Sequence, residues 1–345
     1  MAEINTPQNG RRTEEVFKNI YRIPVGLPNN PLKVLNSYLI RDPERSILID
    51  TGFRVRECRE DLLAGFDELG EDPGAVDIFL THLHADHSGL SSDIVGEGKQ
   101  ILISETDGAW LDTLPLEGES WTEDKWVKNK ANDILAGMPP YIVDNMEKLS
   151  PAFSFAPPGG AHYTCVKDGD VLRAGGYSFR CISTPGHTPG HMCLWEADNS
   201  LMFTGDHVLF DITPNITSWP TIDDSLGDYL ESLRKIREYP VKTALPGHRK
   251  PGGFHARIDE LFLHHEKRLE EVKNIIHETP GLTAYEVAGR MRWKIRAANW
   301  DEFPVSQKIF AVGECMAHLD YLRLRGAIRC ELDGAVHRYH SGKPA

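Results

Sequence analysis

The sequence predicts an α/β fold in which two β-sheets are faced by helices, followed by a helical tail closed by a β-hairpin. Two observations predict it. Short β-rich runs come first, a helix interrupts them, further β-rich runs follow and a helix ends that part. This order suits two packed sheets better than one doubly wound parallel sheet. After about residue 255 the apolar residues switch to helical periodicity and stay there until a final hairpin signal.

The elements justify themselves in chain order. "NIYRIPV" (19–25), "VLNSYLI" (34–40) and "SILIDTG" (46–52) are strand-like runs bounded by Pro, Asn, Asp or Gly. In "RVRECREDLLAGFDELG" (54–70), Val55, Leu62, Leu63, Phe66 and Leu69 recur at helical spacing and Gly70 supplies a stop. "VDIFL" (76–80) is a buried-strand run that leads straight into "THLHADH" (81–87). Residues 105–160 form an insert with Trp110, Trp121, Trp126, Tyr141, Phe153 and Phe155, expected to act as a helical lid or binding element. Taken singly, these aromatics are read as glue between insert and body. "DVLRAGGYSFRCIST" (170–184) and "MCLWEADNSLMFTGD" (192–206) read as hairpins about Gly175-Gly176 and Asp198-Asn199. A helix at 225–239 and a short strand at 242–247 complete this part, giving a catalytic domain over 1–255.

The second unit, 256–345, carries Ile258, Leu261, Phe262, Leu269, Val272 and Ile276 on one helical stripe. Thr283 and Glu286 have the spacing of a capping box opening a short helix at 284–291. A third helix bears Ile309, Val312, Met316, Leu319 and Leu322 and stops at Gly326, and residues 327–340 form a hairpin on Asp333-Gly334. Helix, helix, helix, hairpin is the order of a winged helix.

Bulk properties bound the function. The 345 residues are 40% hydrophobic and 26% charged, enough for a large buried core. A net charge of −13 argues against a surface built wholly for polyanions. The six cysteines are scattered without a Cys-x-x-Cys pair and read as reduced, buried hydrophobes. The first residues lack an apolar leader and no stretch nears the ~20 apolar residues of a membrane span, so the expectation is a cytoplasmic protein.

The chemistry concentrates in "THLHADH". In an extended segment His82, His84 and Asp86 share a face, and His87 joins once the chain turns. A lone histidine is more often a hydrogen-bonded structural residue, but four ligand-type groups this close favour a divalent cation. Three later stretches add partners at strand ends or turns: His187 in "TPGHTPGH" (184–191), Asp206 in "FTGDH" (203–207) and His248 in "ALPGH" (244–248).

With "DTG" at 50–52, these motifs resemble, in order, the five motifs of the metallo-β-lactamase superfamily, over about residues 19–250. The resemblance implies an αββα sandwich with the metal site at one edge. It further implies that His82, His84 and His187 hold one metal, that Asp86, His87 and His248 hold the second, and that Asp206 bridges them. Asp50 matches an orienting aspartate. The metals would be two divalent ions, Zn²⁺ first, with Fe or Mn also compatible with imidazole and carboxylate donors. They would share a hydroxide for hydrolysis, with Asp86 and Asp206 as acid–base partners. His191, His207 and His255 match no ligand position, and His191 is expected nearest the substrate.

The aspartate at 206 is the pattern of glyoxalase-II-like, lactonase and nuclease branches and tells against antibiotic hydrolysis. The expected activity is cleavage of an ester, thioester or lactone-type small molecule. The alternative is an endoribonuclease or phosphodiesterase using the winged helix on nucleic acid: residues 279–345 hold ten Lys/Arg against seven Asp/Glu, with Arg290, Arg292, Lys294 and Arg296 clustered. Glu314 and Asp320 on the third helix oppose that use, and the winged helix is equally suited to homodimer contact or to covering the site. A third possibility, a metal-bound sensor without turnover, is disfavoured by the complete ligand set.

Overall fold

The computed structural model describes residues 12–119, 130–149, 154–294 and 297–342. Trp121, Trp126, Phe153 and Arg296 lie outside the described residues. A first sheet of seven strands runs β1 (Glu14–Phe17), β2 (Ile20–Gly26), β3 (Val34–Ile40), β4 (Ile47–Ile49), β5 (Asp77–Phe79), β6 (Ile101–Ser104) and β7 (Tyr163–Val166), in that spatial order. It is antiparallel up to β4 and parallel beyond. A second sheet has the order β12-β11-β10-β9-β8, from β8 (Val171–Ala174), β9 (Tyr177–Ser183), β10 (Met192–Glu196), β11 (Leu201–Gly205) and β12 (Thr243–Pro246). Its hairpins are the two that the turn residues predict; Gly175 and Gly176 take φ of 63° and 86°, the left-handed values a two-residue turn requires.

Side-chain alternation sorts the strand residues into three apolar layers. Leu39 and Leu48 face the helix α1 (Arg56–Leu69), whose Cys58, Leu62 and Phe66 form its buried stripe. Their neighbours Tyr38, Ile40, Ile47 and Ile49 face the other way and meet Leu172, Phe179, Leu194 and Phe203 between the sheets. On the far face of the second sheet, Ile182, Cys193 and Met202 pack against the helix α4 (Ser225–Arg237), with α2 (Ala85–Ser88) and α3 (Glu105–Leu111) lying earlier in the chain. Helix, sheet, sheet, helix is the layer order expected above.

The helix α5 (Phe254–Glu278) serves two cores. Phe254, Ile258 and Leu261 join the outer face of the second sheet, whereas Val272 and Ile276 join a separate core with α6 (Ala284–Arg290), α7 (Val305–Leu324) and the hairpin β13 (Ile328–Asp333) and β14 (Val336–Ser341). The Thr283–Glu286 capping box forms in both directions, at 3.3 and 2.8 Å. Ala136, Met138, Ile142, Val143 and Met146 of the insert also belong to this second core. The insert is therefore attached to the C-terminal helices by aliphatic residues and to the body by Trp110 and Phe155, two of the aromatics expected to glue it down, whereas Tyr141 is 55% exposed. Among the described residues no cysteine is paired, and no helix is long and apolar enough to cross a membrane.

Candidate metal centre

The strand β5 ends at Phe79, earlier than the sequence implies, and the ligand-type residues follow on two different backbones. His82 and His84 lie in the loop, while Asp86 and His87 occupy the single turn of α2, for which His84 is the N-cap. The face-sharing of His82, His84 and Asp86 expected from alternation therefore does not occur. The turn instead sends Asp86 and His87 toward His248, so that Asp86 Oδ2 lies 3.3 Å from His248 Nε2.

The structure brings all seven expected residues together. Three groups have donor atoms mutually within 4.8 Å: His82, His84 and His187; His82, His87 and Asp206; and Asp86, His87 and His248. His84 Nδ1 lies 3.2 Å from His82 Nε2 and 3.0 Å from His187 Nε2, and His87 Nε2 lies 3.2 Å from His248 Nε2. Asp206 reaches across, 3.5 Å from both His87 and His248 and 3.7 Å from His187. Gly247 makes this approach possible, since a Cβ there would lie 2.7 Å from Asp206 Oδ1 and 2.8 Å from His87 Cε1.

The outer partners decide which way each imidazole faces. His187 Nδ1 donates to the Asn215 carbonyl and His248 Nδ1 to the Val34 carbonyl, each at 2.8 Å. His87 Nδ1 donates to Asp50 Oδ2 at 2.7 Å. Thr81 spends its hydroxyl proton on Asp50 at 2.9 Å, so it accepts from His82 Nδ1. Carbonyl and carboxylate oxygens cannot donate, so four imidazoles spend one N–H outward and turn the other nitrogen inward, onto one another and onto two carboxylates, where a neutral ring presents a lone pair to a cation. Asp206 Oδ1 is buried without a hydrogen-bond partner. Converging lone pairs and an orphaned carboxylate oxygen are costly unless a cation gathers them, so the donor set fits divalent metal ions.

Electrostatics separates the two ends. Burial, and then the facing imidazoles, hold His82 far below the ordinary histidine pKa and His84 down to about 3; burial also lowers His187. At the other end burial is opposed by carboxylates: Asp50, Asp206 and Asp86 hold His87 well above its usual range, and Asp206 and Asp86 raise His248. Against burial, His87 and His248 pull Asp86 down to about 2, and His248 and His87 hold Asp206 lower than ordinary carboxylates.

The sequence reading missed Asp107. Fully buried on α3, it accepts from the Leu83 amide at 3.0 Å, the Thr188 hydroxyl at 2.6 Å and the Gly190 amide at 2.6 Å. It thus ties the "THLHADH" loop to the "TPGHTPGH" loop. Burial pushes its carboxyl up to about 6. Its one local signal is Ser104, which caps α3 by accepting from the Asp107 amide. His191, expected nearest the substrate, is buried behind His82 at 5.2 Å between ring centres and lies outside the cavity lining. His207 is buried against Tyr229, and His255 is exposed and bonded to the Tyr239 carbonyl.

A cavity of about 510 Å³ opens onto His84, Asp86, His187 and Asp206. Trp110 and Trp219 stand edge to face beside the cluster, with Trp219 stacked on His84, while Trp293, Phe310 and Met316 of the C-terminal region and Met146 of the insert form other walls.

Comparison with known proteins agrees with this arrangement. The family model described as metallo-beta-lactamase superfamily matches residues 32–248. The crystal structure of a metallo-beta-lactamase family protein from Thermus thermophilus superposes with a TM-score of 0.77 at 28% identity, covering 94% of this chain and 99% of that one. The atrochrysone carboxyl ACP thioesterase AacuM of Aspergillus aculeatus is 24% identical over 63% of this chain and 51% of its own, so this chain spans about half of that relative. The acyl-coenzyme A thioesterase MBLAC2 of Gallus gallus is 25% identical over 62% of this chain and 72% of its own. The five motifs, the layered sheets that carry them and a family model covering well over half of the residues give one result: the chain belongs to the metallo-β-lactamase superfamily.

Proposed function

We propose that this protein is a metal-dependent hydrolase of thioesters whose acyl group is bulky and apolar or aromatic. The observation that carries the proposal is the tryptophan-walled cavity meeting the His/Asp cluster. Its size suits a small molecule held between apolar walls with polar groups at one end. Two relatives are named for thioester cleavage, which favours thioesters over simple esters or lactones.

In this proposal His82, His84 and His187 would hold one divalent ion and Asp86, His87 and His248 a second, with Asp206 within reach of both histidine sets and Zn²⁺ the first choice. Such ions, when bound, polarise a carbonyl and make water a competent nucleophile near neutral pH. The chain supplies the rest. Trp110 and Trp219 seat the acyl group against the cluster and exclude bulk water. Asp86 and Asp206, held ionised by their histidine neighbours, accept the proton of the attacking water and return it to the leaving thiolate. Residues 1–255 act as the catalytic unit, and residues 256–345 act with the 105–160 insert as the cover of the pocket.

The nucleic-acid alternative rests on Arg290, Arg292, Lys294 and Arg296. Against it, α7 places Phe310, Gly313 and Glu314 on the cavity, so the third helix of a winged helix would be occupied by the pocket it covers. A panel of acyl-coenzyme A thioesters, lactones, bis(p-nitrophenyl) phosphate and RNA, run with zinc, iron and manganese, tests the proposal. Thioester turnover that rises with the size of an apolar acyl group is the expected result. Turnover of phosphodiesters without thioesters would overturn it, and two bound metals with no turnover would favour a sensor.

A further inference from the structure

The chain between β11 and α4 passes from the metal centre onto α7, and Asn215 touches both. Its backbone carbonyl accepts from His187 Nδ1 at 2.8 Å. Its side-chain Nδ2 donates to the Phe310 carbonyl at 3.3 Å and to Glu314 Oε2 at 3.4 Å. Glu314 is held in place by Arg268, whose Nε and Nη2 lie 3.2 Å from its Oε1. Arg268 is itself fixed by Glu271 at 2.8 Å, by the Arg292 carbonyl at 2.9 Å and by the Trp293 ring, 4.2 Å beneath it.

The same segment is clamped again just after Asn215. The Ser218 amide donates to the Gly313 carbonyl at 3.1 Å and its hydroxyl to Asp320 at 3.0 Å. A Cβ on Gly313 would lie 2.2 Å from Thr217 Oγ1, so the helix surface is cut away to admit the loop. Trp219, two residues after Thr217, donates to the His187 carbonyl at 3.3 Å and stacks on His84. Two of the three imidazoles at this end thus rest on a segment whose position α7 dictates.

We propose that Asn215 and Glu314 are positioning residues through which the C-terminal region controls one half of the metal centre. Glu314 holds the Asn215 side chain, and the Asn215 carbonyl keeps the proton of His187 on Nδ1 and turns its bare Nε2 into the cluster. This inference rests on the proposal above that His187 is a metal ligand. Outer partners of this kind govern metal affinity by about 10–100-fold when removed.

The test is titration of the metal-free, full-length protein with cobalt(II), followed by the visible d–d absorption, with thermal unfolding as a control for folding. Asn215→Asp keeps the size but replaces the donor with an acceptor facing the Glu314 carboxylate. It is expected to weaken one equivalent of cobalt by about 10-fold and to alter the spectrum of that equivalent alone. Glu314→Gln in the Asn215→Asp background restores a donor–acceptor pair with the roles exchanged, and is expected to recover most of the affinity. Asn215→Ser removes the tether without adding charge and gives the same weakening if Asn215→Asp folds poorly. Wild-type affinity and spectrum in both single variants at 215, or no recovery in the double variant, would overturn the inference. His187→Ala separates the two proposals. If it still binds cobalt as the wild type does, His187 is not a ligand; if it loses one equivalent while the Asn215 variants do not, only the Asn215–Glu314 link fails.

Discussion

Two regions of this protein bury histidines in contact, and they do so for different purposes. At the metal centre His87 Nε2 and His248 Nε2 lie 3.2 Å apart; between α5 and α7 His265 Nδ1 and His318 Nε2 lie 3.2 Å apart, with stacked rings. His318 Nδ1 donates to the Glu314 carbonyl at 2.7 Å, leaving Nε2 free to accept from His265 Nδ1. That contact is closed by a proton and needs no cation. At the metal centre each outer nitrogen already donates to an oxygen that cannot donate back, so His87 and His248 can fill their inner nitrogens only by taking up a second proton opposite Asp206 and Asp86 or by binding a cation. Histidine number does not distinguish the regions; the outer acceptors and the carboxylates do.

The sharpest way to break this contrast is to remove the carboxylate between the two ends. Asp206→Ala is expected to lower thioester turnover at least about a thousand-fold, with metal content by elemental analysis falling alongside it. An unchanged rate would sink the two-ion proposal. Next in size is Asp50→Asn, which offers His87 an amide N–H in place of an acceptor and lets its inner nitrogen take the proton. Zinc competition titration should report a loss of about 10–100-fold in affinity at that end.

Between α5 and α7 the expected effect is on stability alone. Burial, and then the contacting His318, neighbouring His264 and the Arg268 cation, keep His265 far below its ordinary range, and burial takes His318 down to about 3. The unfolded value is near 6.5, so the unfolded chain binds the extra proton first as pH falls. The stabilisation from burying neutral His318 is complete above about pH 6.5 and is lost progressively toward the folded value. His318→Phe should cost about 1–3 kcal/mol at pH 7.5 by leaving His265 Nδ1 buried without its acceptor. The gap should narrow between pH 6.5 and 4 in urea unfolding, with metal content unchanged; a constant gap would remove the titration argument. The smallest effect is expected from Arg292→Ala, whose thioester kcat/KM should match the wild type, whereas a loss of RNA cleavage in that variant would reopen the nucleic-acid alternative.

Much of this contrast was legible in the sequence. The strands, hairpins, helices and the Thr283–Glu286 box followed from short-range periodicity and turn chemistry, which act over a few residues. All seven expected metal-centre residues meet because their motifs end on strands of two sheets that share one edge. Asp86 was placed on the wrong backbone: alternation assumes that extended chain continues, and the helical turn from Ala85 to Ser88 overrides it. His191 was moved too close to the substrate because proximity in sequence to His187 says nothing about which side of His82 its ring occupies.

The sequence by itself determined the candidate donor set, the family resemblance and the layered architecture, since each is written in residue type and local spacing. Only the tertiary structure decided the direction of each imidazole, because its outer partner comes from far along the chain: Asn215 for His187, Val34 for His248, Asp50 for His87. It alone placed Asp107 between two motif loops and joined the insert to the C-terminal helices over the cavity. Those contacts depend on how apolar layers stack in three dimensions, and no window along the chain contains both partners.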